Sequence, residues 1–248
     1  MKYFSFLLAG LLLLTTHLGW AQNKPKEPEF RVLVFSKTVG FRHESISSGL
    51  KMLRELADKN NFTMDATEDA SFFTTEFLKR YQAVIFLNTT GNILDDAQQK
   101  VFEDFIHNGG GFVGIHSASD TEYDWPWYGK LVGAYFTSHP NNPNVRTADF
   151  RIQDKKHPTT AFLPDPWRRV DEFYNFKNIN PDFKTLITID EKSYEGGTNG
   201  DFHPMSWCHE FEGGRAFYTN FGHTHEAYEE PLVRRHILEG IKWAVKKS

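Results

Sequence analysis

A chain of 248 residues with 40% hydrophobic content has enough apolar surface for one ordinary globular domain, which excludes disorder as its default state. Its formal net charge of −4 comes from intermixed acids and bases, without the basic block that a nucleic-acid or anionic-membrane surface needs, so no nucleic acid is expected as a partner. Cys208 is the one cysteine, which excludes an intramolecular disulfide and a Cys-rich zinc site and leaves stability to the core.

The first residues point to a compartment. Met1-Lys2 gives one positive charge, "FSFLLAGLLLL" a compact apolar region, and Gly19-Trp20-Ala21 ends in the small residues a signal peptidase tests. Thr15, Thr16 and His17 interrupt the apolar run too early for a retained membrane span. Residues 1–21 therefore read as a signal peptide cleaved near Ala21 and residues 22–29 as a polar linker. Residues 30–248 form a single domain, periplasmic or secreted, with no membrane span in the mature protein.

"RVLVFS" (Arg31–Ser36) reads as a buried strand, and the spacing of Ile46, Leu50, Leu53, Leu56 and Ala57 predicts a helix after it. "FTMDATED" is a weaker strand and "AVIFLNTT" (Ala83–Thr90) a third, apolar enough to be covered on both faces. Asp95 with Gln98 three residues on signals a capped helix with Ala97, Val101, Phe102, Phe105 and Ile106 inward, ended by Gly109. From Asp124 onward the pattern becomes strand-like, with Glu212-Gly213-Gly214 as a hairpin turn, until a last amphipathic helix over Pro231–Val245. Strands alternating with helices predict an α/β, doubly wound, mainly parallel sheet with additional C-terminal strands. Ligands of such a sheet sit beyond the carboxyl ends of its strands.

That rule places His43, Asn88 and His116 on the functional edge. In "GGGFVGIHSASD" a strand runs into Gly114-Ile115-His116, the form of the elbow that α/β hydrolases and class I glutamine amidotransferases use to expose one side chain. A histidine there excludes acyl-enzyme chemistry through Cys or Ser at the elbow, so a glutamine amidotransferase activity is not expected.

The stretches "VLVFSKTVGFRHESI", "VIFLNTTG", "GGGFVGIHSASDTEYDWPWYGKLVGAYFTSHP", "DEFYNF", "HPMSWCHEFEGGRAFYTNFGH" and "GIKWA" resemble the ThuA-like (trehalose utilisation) family from Arg31 to Ala244. The resemblance implies a flavodoxin-like fold similar to the class I glutamine amidotransferase domain. It also implies sugar-related metabolism, with a small-molecule carbohydrate as ligand and 3-keto-glycosides as a candidate class.

The residue types admit two function classes. In the first, His116, His43, Asp120, Glu172 and His223 perform acid–base catalysis as a lyase, isomerase or hydrolase. Glu172 is chosen over Asp171 because only one of the pair can face inward on a strand. In the second, a non-catalytic carbohydrate-binding protein stacks sugar on Trp125, Trp127 and Trp207. Asn88, Trp125, Trp127, Tyr128, His139, His203 and Trp207 are the expected substrate contacts under the first. No phosphate loop or Gly-x-Gly-x-x-Gly is present, so no nucleotide cofactor is indicated. The spacing His223-Thr224-His225, with His203 as a third ligand, admits a divalent metal, against the plainer reading of His223 as a polar pocket wall. Cys208 reads as a small hydrophobe in a strand.

Overall fold

The computed structural model describes residues 27–246, so the expected signal peptide and most of the linker lie outside the described residues. β1 (Arg31–Phe35) leads into α1 (Ile46–Lys59), which buries Ile46, Met52, Leu53, Leu56 and Ala57 as its spacing requires. β2 (Thr63–Thr67) and the one-turn α2 (Thr75–Leu78) lead to β3 (Ala83–Leu87), every residue of which is buried. α3 (Asp96–His107) starts with the expected capping box: Asp95 Oδ1 accepts from Gln98 N (2.9 Å), and Gln98 Oε1 accepts from Asp95 N (3.0 Å). It stops before Gly109, whose φ of +93° suits the left-handed exit.

β4 (Gly111–Ile115) follows, then α4 (Pro126–Val132) and β5 (Tyr135–Ser138). The sequence pattern predicts no helix between Asp124 and Pro231, yet Pro126 at the helix start and Gly133 at φ +93° after its end are start and stop signals for α4. The remaining strands are β6 (Val145–Ile152), β7 (Trp167–Glu172), β8 (Asn175–Lys177), β9 (Lys184–Ile189), β10 (Pro204–Phe211) and β11 (Gly214–Thr219), before α5 (Pro231–Ala244). The β10–β11 hairpin turns through Glu212 (φ 47°) and Gly213 (φ 100°), two successive left-handed residues as a tight two-residue turn needs.

Among the described residues the main sheet runs β2-β1-β3-β4-β11-β10-β9-β6-β7, with β5 and β8 paired separately. β1, β2, β3, β4 and β11 are parallel, and β11 lies directly beside β4, from Gly111↔Arg215 to Ile115↔Thr219. β4 is thus walled by strands on both sides and helices on both faces, which is why its glycine-rich run is wholly buried. α1 and α5 pack together on one face; α3 and α4 cover the other through Phe86, Phe102, Phe112 and Tyr128. The chain steps from β1 outward to β2 and back to β3, so the switch point opens beyond the ends of β1 and β3. No helix among the described residues is long and apolar enough to cross a membrane.

Candidate active site

The elbow forms where the sequence places it. His116 takes φ 49° immediately after β4 and opens a 3-10 turn over His116–Asp120. Gly114 makes room for it, since a Cβ there would stand 3.0 Å from the Tyr218 ring and 3.2 Å from Ala118. The His116 side chain is fully buried. Its Nδ1 lies 2.7 Å from the Asn220 carbonyl, which can only accept, so Nδ1 carries a proton. Nε2 is buried without a hydrogen-bond partner. The ring packs on Tyr174, centroids 4.3 Å apart.

Three further groups meet His116. His43, from the loop after β1, stands edge-on to the His116 and His223 rings at 4.8 and 5.2 Å. Burial, and then the neighbouring histidines, press its pKa down to about 2, so it is neutral. Glu172 ends β7, and its Oε2 lies 3.4 Å from His116 Nε2 and 3.0 Å from His223 Nδ1. Neither contact is a hydrogen bond, because neither ring is angled to donate to that oxygen, and both nitrogens are buried and unpartnered. Burial works to raise the Glu172 pKa, but the His116 and His223 rings outweigh it and hold the carboxyl well below the usual range. Its other oxygen accepts from Asn144 Nδ2 at 2.7 Å, and the same amide lies 3.1 Å from His223 Nε2.

β7 is five strands from β4, which in a flat sheet would separate their ends by about 24 Å. Contact between Glu172 and His116 therefore requires the antiparallel half of the sheet to curl back over the parallel half. The register between β9 and β10 shifts around Pro204–Trp207, an irregularity of the kind that bends a sheet. Asp171 holds the closure. It accepts from the backbone N–H of Glu172 (3.0 Å), Gly222 (3.0 Å) and His223 (3.2 Å), fixing the loop that carries His223. Glu172 faces the cavity and Asp171 the opposite face, as strand alternation requires, and Asp171 is buried as well because this loop covers the strand end.

The cluster opens on a cavity of about 290 Å³, walled by Phe41, Phe136 and Tyr174 and by His43, Asp120, His139, Asn144, Glu172 and His223. Asp120 accepts from Tyr123 Oη at 2.7 Å, and burial raises its pKa. His139 lies at the rim, its Nδ1 3.5 Å from Glu172. Thus His43, His116, Asp120, His139, Glu172 and His223, chosen from sequence, come together here.

Other expected contacts do not. Trp207 is fully buried and donates to the Val132 carbonyl (2.7 Å). Trp125 and Trp127 stack on each other over α3, donating to Glu103 and Glu212, and Tyr128 is buried with its hydroxyl on Ala118 O. Asn88 lies behind the site, bonding Ser45, Gly222 and Tyr228. The grouping of His203, His223 and His225 is also corrected. His203 is tied to Glu191 Oε1 (2.7 Å) and the Tyr174 carbonyl (2.8 Å), and His225 to Ser48 near the surface. Loop folding, not His-x-His spacing, decides which rings meet. Asn144, Tyr174 and Phe136 were not chosen from sequence: Asn144 sits in a polar loop without a pattern, while Tyr174 carried a signal in its place two residues after Glu172.

An α/β sheet with a histidine elbow at its switch-point edge defines an amidotransferase-like frame without the amidotransferase nucleophile. The chain belongs to the ThuA family, described as trehalose utilisation, whose profile matches residues 31–244. A solved protein described as ThuA-like from Bacteroides uniformis is 26% identical, with a TM-score of 0.74 over 93% of this chain and 97% of that one. Another from Parabacteroides merdae is 20% identical, with a TM-score of 0.71 over 88% and 90%. A Salmonella typhimurium cytoplasmic protein at 11% identity and TM-score 0.59, covering 86% and 98%, shares the fold alone. No similar protein was found among those of curated function.

Proposed function

We propose that this protein is an exported enzyme of carbohydrate metabolism that moves a proton on a sugar or keto-glycoside, as a lyase, isomerase or hydrolase. The observation that carries the reading is a cavity of about 290 Å³ in which Asp120 and a histidine–glutamate cluster share one space. That volume is near the lower end for small-molecule sites, roughly 300 Å³, and suits a single sugar ring. Phe136 and Tyr174 supply the apolar wall on which a ring face stacks.

A carbonyl in the ring acidifies the adjacent C–H. Asp120 takes that proton on its free oxygen while the C–H electron pair moves toward the carbonyl oxygen, where the His43 and His223 rings on the cavity wall offer N–H donors to the charge that develops. Return of the proton to the former carbonyl carbon, as the hydroxyl on the deprotonated carbon becomes the new carbonyl and its proton passes to the old carbonyl oxygen, isomerises the sugar; loss of a glycosidic oxygen one carbon further on completes an elimination. His139 at the rim is placed to protonate the group that departs. Family membership supports the sugar, and the charged, apolar and small-residue pattern of the first 21 residues supports export to the periplasm or medium. The rival reading, a binding module stacking sugar on Trp125, Trp127 and Trp207, loses its platforms to core and surface packing.

The test is proton NMR in heavy water with 3-keto-trehalose and 3-keto-glucosides. Wild-type protein is expected to wash deuterium into the carbon beside the carbonyl or to form product, and Asp120→Asn to slow this about 10²–10⁴-fold at unchanged thermal stability. Absence of both exchange and product with every keto-sugar would sink the reading.

A further inference from the structure

We propose that His116 Nε2, His223 Nδ1 and Glu172 Oε2 hold a divalent metal ion of the zinc type, with its open position toward the cavity. The ion's catalytic use rests on the keto-sugar reading above; its binding does not.

The first observation is a mismatch. Two ring nitrogens lie 3.4 and 3.0 Å from one carboxylate oxygen, all three buried, yet no hydrogen bond joins them. Two ring nitrogens converging on one buried carboxylate oxygen need something positive between them and it. A proton does not serve, because neither ring points its N–H at the oxygen. A tetrahedral ion with bonds of about 2.0–2.1 Å spaces its ligand atoms roughly 3.3–3.4 Å apart, close to the separations found. The ligand atoms of His43, His116, Glu172 and His223 all fall within 4.8 Å of one another, and His43 also lines the cavity.

The surroundings are those of a metal site. His116 donates its other ring N–H to a backbone carbonyl, which fixes the tautomer that leaves Nε2 free to bind. Glu172 is oriented by Asn144, and the His223 backbone by Asp171. Two imidazoles and a carboxylate with an open position form a donor set used by catalytic zinc. One contact must change. A His223 bound through Nδ1 carries its proton on Nε2, which Asn144 Nδ2 cannot accept, so Asn144 keeps Glu172 and releases His223. One neutral hydrogen bond is a small loss against a metal–nitrogen bond. In the reaction the open position takes the carbonyl oxygen of the keto-sugar and polarises it while Asp120 removes the neighbouring proton; no electrons leave the substrate.

Untagged mature protein is stripped with a chelator, re-equilibrated with Zn²⁺ or Co²⁺ and assayed for bound metal, with cobalt visible absorption as the coordination readout. The expected result is about one ion per chain, a raised Tm and a d–d band. His116→Ala and Glu172→Gln, checked by circular dichroism for folding, should weaken binding by more than the roughly 10–100-fold typical of an outer-shell partner. His225→Ala should bind as wild type does. Failure of wild type to retain metal, or equal retention by both ligand variants, overturns the metal centre. If metal-free protein still exchanges deuterium, the ion's catalytic use falls and the keto-sugar reading stands. If the ion binds as expected but no keto-sugar exchanges, the centre stands and the keto-sugar reading falls.

Discussion

Asp171 and Glu172 are adjacent carboxylates with opposite tasks. Glu172 turns into the cavity, while Asp171 turns away and accepts three backbone amides that fix the His223 loop. Behind Asp171 lies buried Arg169, 4.0 Å away, whose closer partner is Glu230 at 2.9 Å. Removing the carboxylate leaves a buried guanidinium short of compensation and three amides without an acceptor. Asp171→Ala is therefore expected to cost about 3–5 kcal/mol in urea denaturation. Asp171→Asn, which keeps one accepting oxygen, should cost less. If Asp171→Ala unfolds at the wild-type midpoint, the loop is held by something other than this carboxylate. The strand alternation read from "DEFYNF" correctly separates the two side chains, but it cannot show that a loop some fifty residues later covers the outer one.

At the scale of elements, local signals were legible where local chemistry decides. The capping box at Asp95, the all-apolar β3, the turn at Glu212-Gly213 and the elbow at His116 each depend on residues within a few positions. α4 was missed because its Trp-Pro-Trp reads equally as a sugar platform, and only packing against Phe102 and Phe211 shows what the rings do. The capping box offers a clean test, since α3 lies against the sheet away from the cavity. Asp95→Ala should lower stability by about 0.5–2 kcal/mol, read as a shifted denaturation midpoint at constant m. Deuterium exchange into a keto-sugar should be unaffected, because none of the cavity residues belongs to α3.

At the scale of the molecule, the site is made by curling one half of the sheet over the other, and long-range pairing is what a sequence shows least. The order β4-β11-β10-β9-β6-β7 puts the last β-strand in sequence at the centre of the sheet, beside β4, so Glu172 and His223 reach His116 only through the whole topology. His236 lies at another long-range junction, where α5 reaches Ser206 of β10 and the loop at Thr159. Its Nδ1 donates to the Thr159 carbonyl (2.9 Å), its Nε2 is 3.1 Å from Ser206 Oγ, and the side chain is fully buried. Burial, with Arg169 and His157 nearby, lowers its pKa to about 4 despite the Thr159 bond. The folded protein thus keeps this ring neutral while the unfolded chain protonates it near its ordinary pKa of 6.5. Between those values the unfolded state binds more protons, so the contribution of His236 is intact above pH 6.5 and is lost as pH falls toward 4. A difference of about 2.5 pH units corresponds to roughly 3 kcal/mol, reached only below the lower pKa. Urea denaturation of metal-free wild type and His236→Gln across this range tests it: wild type should lose stability more steeply with acid, by up to that amount. Parallel pH profiles for the two proteins would show that α5 does not dock through a ring that must stay neutral.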